Sequence, residues 1–109
     1  MRIWDVAPER LCRQHLLGEH RELHAIWAIL TEKKKGYAHH PETRRWEGKL
    51  KALYLRHNAL VTEMTRRGYQ HHSPLLKALA TGDGVQREHV DSRQDQIRIL
   101  QGKACGCDF

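Results

Sequence analysis

The sequence predicts an all-α fold, and three observations lead there. Apolar residues recur at spacings of three, four and seven along two long stretches. Each stretch ends in a run of cations followed by glycine, the pairing expected at a helix C-terminus. No segment alternates with period two over enough residues to make a strand. With 109 residues, the expectation is a single domain spanning 1–109. It would hold three main helices, an extended N-terminal lead inserted against the first of them, and a frayed tail over about 104–109.

The first predicted helix opens at Pro8, a residue suited to a first turn, with Glu9 behind it. Its core stripe runs through Cys12, Leu16, Leu23, Ile26, Trp27 and Leu30, and Lys33-Lys34-Lys35-Gly36 closes it. A loop then leads to Pro41. The second stripe takes in Trp46, Leu50, Leu53, Tyr54, His57, Leu60, Val61 and Met64 and stops at Arg66-Arg67-Gly68. Ser73-Pro74 starts a short helical turn through Leu79, Thr81-Gly82-Asp83-Gly84 is a loop, and the last helix covers about 91–101.

Composition narrows the function classes. Hydrophobic residues make up 39% of the chain, enough for one modest core. The longest apolar run, Ala25 to Leu30, is six residues, far short of the ~18 needed to span a bilayer, so no membrane association is expected. The start of the chain lacks the charged-then-apolar pattern of a secretory signal, and three cysteines suit a reducing compartment, so a cytoplasmic location is expected. Nineteen Lys and Arg against 13 Asp and Glu give a formal charge of +6, which favours a polyanionic partner. Nothing demands a dimer, and a monomer is expected.

At 100° per residue, Leu11, His15, Gly18, Glu22, Ala25 and Ile29 share a face of the first helix beside the core stripe. Gly18 leaves room between His15 and Glu22. That room suits either close packing over a hydrogen-bonded histidine or entry of another chain segment or a ligand. The seven residues before Pro8 could supply the segment, with Ile3 and Trp4 as anchors. Lying back along the helix, they would bring the α-amine of Met1 toward Glu22. An α-amine titrates near ~7.7–8.0, so part of it is an uncharged nucleophile at neutral pH. The bulk of Arg2 favours retention of Met1.

These residues resemble the pyrimidine-dimer DNA glycosylase family, the group that includes phage endonuclease V, and more closely its bacterial branch. The resemblance rests on Met1-Arg2-Ile3-Trp4-Asp5, Arg13-Gln14-His15-Leu16, and Leu17-Gly18-Glu19-His20-Arg21-Glu22-Leu23-His24. It continues through Lys35-Gly36-Tyr37, His40-Pro41-Glu42-Thr43 and Trp46, over roughly the first 70 residues. It implies a DNA repair glycosylase with abasic-site lyase activity on double-stranded DNA carrying ultraviolet-induced cyclobutane pyrimidine dimers. It further implies attack by the Met1 α-amine on the deoxyribose, a Schiff base, and β-elimination assisted by Glu22, without metal or organic cofactor. Arg2, His15 and Arg21 match positions that hold the DNA backbone and order the site.

Ala25 stands where the phage enzyme has another arginine, and the tail is not the aromatic-rich basic tail of that enzyme. These departures keep two alternatives open: a glycosylase/lyase for oxidised, ring-opened or alkylated bases, and a non-catalytic basic DNA-binding domain. Among further candidates, Tyr37 and His40 suit contact with displaced bases. Arg44 and Arg45 suit phosphate neutralisation, and Arg98 lies near basic positions of the family's third helix. His39-His40 and His71-His72 read as loop histidines, and Trp46, Tyr54 and His57 as core. Cys105-Gly106-Cys107 could join Cys12 or a histidine on zinc but reads as free thiols.

Overall fold

The computed structural model describes residues 2–32, 39–70, 74–103 and 106–107. Four α-helices are present among them: α1 (Arg13–Glu32), α2 (Pro41–Arg44), α3 (Leu50–Arg66) and α4 (Arg93–Gln101). Short 3-10 turns at Pro8–Arg10 and Lys77–Leu79 and one isolated bridge between Lys49 and Gly82 complete the regular structure. The chain is all-α, as its periodicity predicts. No described helix is long and apolar enough to cross a membrane.

Helices α1 and α3 form the frame. Leu11 meets Arg67, His24 meets His57, and Trp27 lies beside Tyr54, so the two run in opposite directions. Leu16, Leu23, Ile26, Leu53 and Leu60 are fully buried between them. The lead adds Ile3, Trp4 and Val6 to this core, and α4 adds Leu100. Cys107 is also packed against the core, and its Sγ accepts from the Cys12 amide at 3.1 Å.

Three boundaries differ from the sequence reading, each for a physical reason. Pro8 opens its own 3-10 turn, and α1 begins only at Arg13 because Leu11 is extended (φ −79°, ψ 139°) and buried. Arg67 uses that break, donating to the carbonyls of Pro8, Glu9 and Leu11. The second stripe is split, with Trp46 in the turn between α2 and α3. Gly48 (φ 71°) reverses the chain there, and the loop after Thr81 packs onto the reversal. The first-turn amides of Lys51 and Ala52 donate to the carbonyls of Thr81 and Asp83, which satisfies two orphan donors of α3. Gly82 (φ 83°) is required at this contact, since a Cβ would lie 2.1 Å from the Gly48 oxygen. Finally, α4 starts at Arg93 because the Ser92 hydroxyl caps it, accepting from the Asp95 amide at 3.1 Å.

Buried charge ties the lead to this frame. Glu19, 2% exposed, accepts the Trp4 amide and both the Nε and one terminal nitrogen of Arg56 at 2.7–3.0 Å. Burial pushes the Glu19 carboxyl above the ordinary range, and the Arg56 guanidinium and the Trp4 amide oppose that rise. Glu19→Ala strands a buried guanidinium and an amide, and is expected to lower the unfolding free energy by about 3–5 kcal/mol in urea melts. Replacing both members with methionine is expected to cost less than Glu19→Ala alone.

At the far end of α3, hydrogen bonds from Arg66 and Arg67 hold the Glu63 carboxyl down at about 2. A carboxyl depressed on folding stabilises fully above its unfolded value, and that stabilisation is lost as pH falls through the folded one. The acid arm of the thermal stability profile is therefore expected to drop between about 4.5 and about 2, and Glu63→Gln to flatten it.

Candidate active site

Residues 2–7 run through the interior outside any helix or strand, and among the described residues no strand pairs with them, so side chains must satisfy their backbone groups. The Ile3 amide donates to Glu42 Oε1 at 3.2 Å, the Trp4 amide to Glu19 Oε1 at 3.0 Å, and the Asp5 amide to Gln96 Oε1 at 2.7 Å. The carbonyls of Ile3, Asp5 and Val6 accept from Arg45, Arg93 and Arg56. Four helices thus grip four consecutive residues, Ile3 to Val6, by polar contacts as well as by the apolar side chains of Ile3, Trp4 and Val6.

Arg2 lies at the outer end of this grip. Its guanidinium pairs with Asp91 at 2.7 Å and stacks 4.9 Å above the Trp4 ring. Met1 and Tyr37 lie outside the described residues.

On α1 the Trp4 ring meets His15 edge-on at 5.6 Å. His15 Nδ1 is 3.1 Å from Cys12 Sγ and 3.3 Å from Cys107 Sγ. Burial, reinforced by Lys103, pushes the His15 imidazole below its ordinary value and favours the neutral ring. Glu22 follows on the same flank two turns later and is half-buried. Among the described residues no cation or hydrogen-bond donor engages its carboxylate, whereas the buried Glu19, Glu42 and Glu63 are each bonded to arginine.

The described residues of the lead do not fill the space beside Gly18. Among the described residues a Cβ there would meet nothing within 4 Å, and an open cavity of about 360 Å³ is lined by Arg13, Gln14, Leu17, Gly18 and Arg21. The deep anchors Glu19 and Glu42 draw the lead between the helices instead of along the Gly18 stripe. Arg21 is exposed on the cavity rim, free of the core and sterically open to an anion.

Arg45 requires a correction. It is 5% exposed, and its nitrogens reach Glu42, Asp5, the Ile3 carbonyl and the Glu88 carbonyl, so it orders the lead and has no face for phosphate. Arg44, one residue earlier, is exposed. His40 caps α2, with Nδ1 accepting from the Glu42 amide at 3.1 Å. Arg98 is exposed and paired with Asp95 at 3.0 Å. Trp46 and His57 are buried and Tyr54 packs on the core, as the stripe predicts.

The sequence reading missed Glu19 and Glu42. A signal for Glu19 was present: the predicted stripe jumps seven residues from Leu16 to Leu23, and Glu19 fills the empty turn on the buried side. Glu42 and Arg45 carry the i, i+3 spacing of a helix ion pair, a pattern far more common on surfaces.

No curated protein and no solved structure is detectably similar to this chain. A family model described as pyrimidine dimer DNA glycosylase matches residues 1–77, which takes in the lead, α1, α2 and α3. The match includes every residue that anchors the lead except those of α4 and the loop before it. With the family model spanning well over half of its length, the chain belongs to the pyrimidine dimer DNA glycosylase family, and DNA containing pyrimidine dimers is the substrate that membership implies.

Proposed function

We propose that this glycosylase is also an abasic-site lyase, working through the α-amine of Met1, on cyclobutane pyrimidine dimers in duplex DNA. The observation that carries the reading is the hold on the lead. Buried Glu42 and Glu19 fix the amides of Ile3 and Trp4, so the chain two residues from the amine cannot wander. Preorganisation of this kind is what a nucleophile needs at a substrate it must meet in one orientation.

The reaction divides into balanced steps. The neutral amine attacks C1′ and forms a C–N bond, and the glycosidic bond breaks with its electron pair leaving on the base, which takes up a proton. Opening of the sugar ring gives a protonated imine. Removal of a C2′ proton then breaks the C3′–O bond, releasing the 3′ phosphate as leaving group and cutting the strand. Hydrolysis of the imine regenerates the amine.

Glu22 fits two needs of this sequence. Positive charge develops first on the sugar and then on the imine, and a half-buried carboxylate that no cation among the described residues engages stabilises it. The same carboxylate can accept the C2′ proton. Arg2, Arg21, Arg44 and Arg98 supply positive charge for the DNA backbone, and His15 orders the flank on which Trp4 packs. Extrusion of a nucleotide from the stack costs a few kcal/mol and least at a damaged pair.

Borohydride added to the protein with ultraviolet-irradiated duplex, and separately with abasic DNA, is expected to trap a covalent adduct that maps to the Met1 amine on both substrates. Adduct on abasic DNA alone would move the lesion to another damaged base, and adduct on neither, with an unblocked terminus in intact mass, would overturn the lyase reading. Glu22→Gln is expected to lower single-turnover cleavage by about 10²–10³-fold while leaving DNA binding within a few-fold. Arg21→Ala is expected to weaken binding to all sequences and to reduce the slope of log K against log salt by about 1.

A further inference from the structure

His20 and His24 lie one turn apart on α1, and His57 faces them from α3. His24 Nε2 is 3.1 Å from His20 Nε2 and 3.2 Å from His57 Nε2. The three ring centroids are 4.6–5.3 Å apart, and one ligand atom from each ring lies within 4.8 Å of the other two. We propose that His20, His24 and His57 form a binding site for a divalent transition-metal ion, with Zn²⁺ as the first choice. Neither the family membership nor the amine chemistry assigns such a site.

Proton accounting argues for a cation. A neutral imidazole nitrogen either donates one proton or offers one in-plane lone pair. His24 Nε2 faces two other ring nitrogens, so as donor or as acceptor it can serve only one of them well. Protonating two of the rings would place like charges in contact. A metal ion resolves the conflict by accepting all three lone pairs at once.

Ligand spacing argues for the same occupant. In a tetrahedral site with metal–nitrogen bonds of ~2.0–2.1 Å, neighbouring nitrogens are about 3.3–3.4 Å apart, close to the two separations seen. Three imidazoles suit zinc, copper, nickel or iron, while magnesium and calcium require oxygen ligands. An outer-shell partner is also near: His57 Nδ1 lies 3.4 Å from Asn58 Oδ1, an acceptor that favours the proton on Nδ1 and leaves Nε2 for the metal.

The site has an open side. His57 is buried, but His20 and His24, with Leu17 and Arg21, line a solvent-open cavity of about 410 Å³. A fourth ligand enters from there, and it is water. At 100° per residue Glu22 projects some 160° away from both His20 and His24 around α1, so the metal sits apart from the glutamate flank. Its effect is to clamp α1 to α3, the pair that carries the lead's anchors Glu19 and Arg56.

A second cluster of Cys12, His15 and Cys107 could also bind metal, so the test is run on full-length protein carrying Cys107→Ser and stripped with a chelator. Titration with Co²⁺ is expected to give one equivalent with the visible bands of a four-coordinate nitrogen-ligated ion and no thiolate charge-transfer band. One equivalent of Zn²⁺ is expected to displace it and to raise the melting temperature. His20→Gln and His24→Gln retain good helix formers on half-buried positions, and each is expected to weaken Co²⁺ binding by more than about tenfold with far-UV circular dichroism unchanged. Absence of these bands in folded protein, or bands that survive both histidine substitutions, would overturn the proposal.

Discussion

The structure depends on a lead that is buried without a sheet. An interior segment outside any helix or strand has amides and carbonyls that must be paired, and among the described residues no strand offers partners. Helices supply them through long side chains: Glu19 and Arg56, Glu42 and Arg45, and Gln96 each reach from their own backbone to the lead. Each carboxylate is in turn neutralised by an arginine, which is the condition for keeping it in the core. The lead therefore belongs to the core as much as any helix does.

That requirement sorts the acidic residues. Glu19, Glu42 and Glu63 are buried and bound to guanidinium groups, where their geometry is fixed and their charge cancelled. Glu22 lies only one turn from Glu19, yet it falls about 60° further round, at the edge of the core stripe, where no cation among the described residues engages it. The arginines divide in the same way, with Arg45, Arg56 and Arg67 turned inward and Arg21, Arg44 and Arg98 left at the surface. Net positive charge therefore overstates what is available to a polyanion, because part of it is consumed inside the fold.

Helix α1 carries these separate tasks because twenty residues give it more than five turns. Its apolar stripe packs on α3, one flank carries His15 and Glu22, and the opposite flank carries His20 and His24 toward His57. Gly18 leaves the outer surface between the flanks open among the described residues, and Glu19 holds Trp4 deep between the helices.

The sequence by itself determined the all-α class, the two long helices and most of the core, because a 3.6-residue period is a local property of the chain. It also carried the family, through the spacing of Arg21 and Glu22 from the lead. Its errors fell where distant groups decide: α1 starts late because Arg67, more than fifty residues away, takes the carbonyls of the preceding turn, and the second stripe breaks where Gly82 packs on Gly48. Arg45 looked like any exposed cation, and only the arrival of Asp5 and Ile3 beside it makes it internal. The same holds for His57, whose partners His20 and His24 lie more than thirty residues earlier. Periodicity tells which side of a helix is buried, but the choice of which charge meets which backbone group is made only when segments far apart in the chain compete for the same interior space.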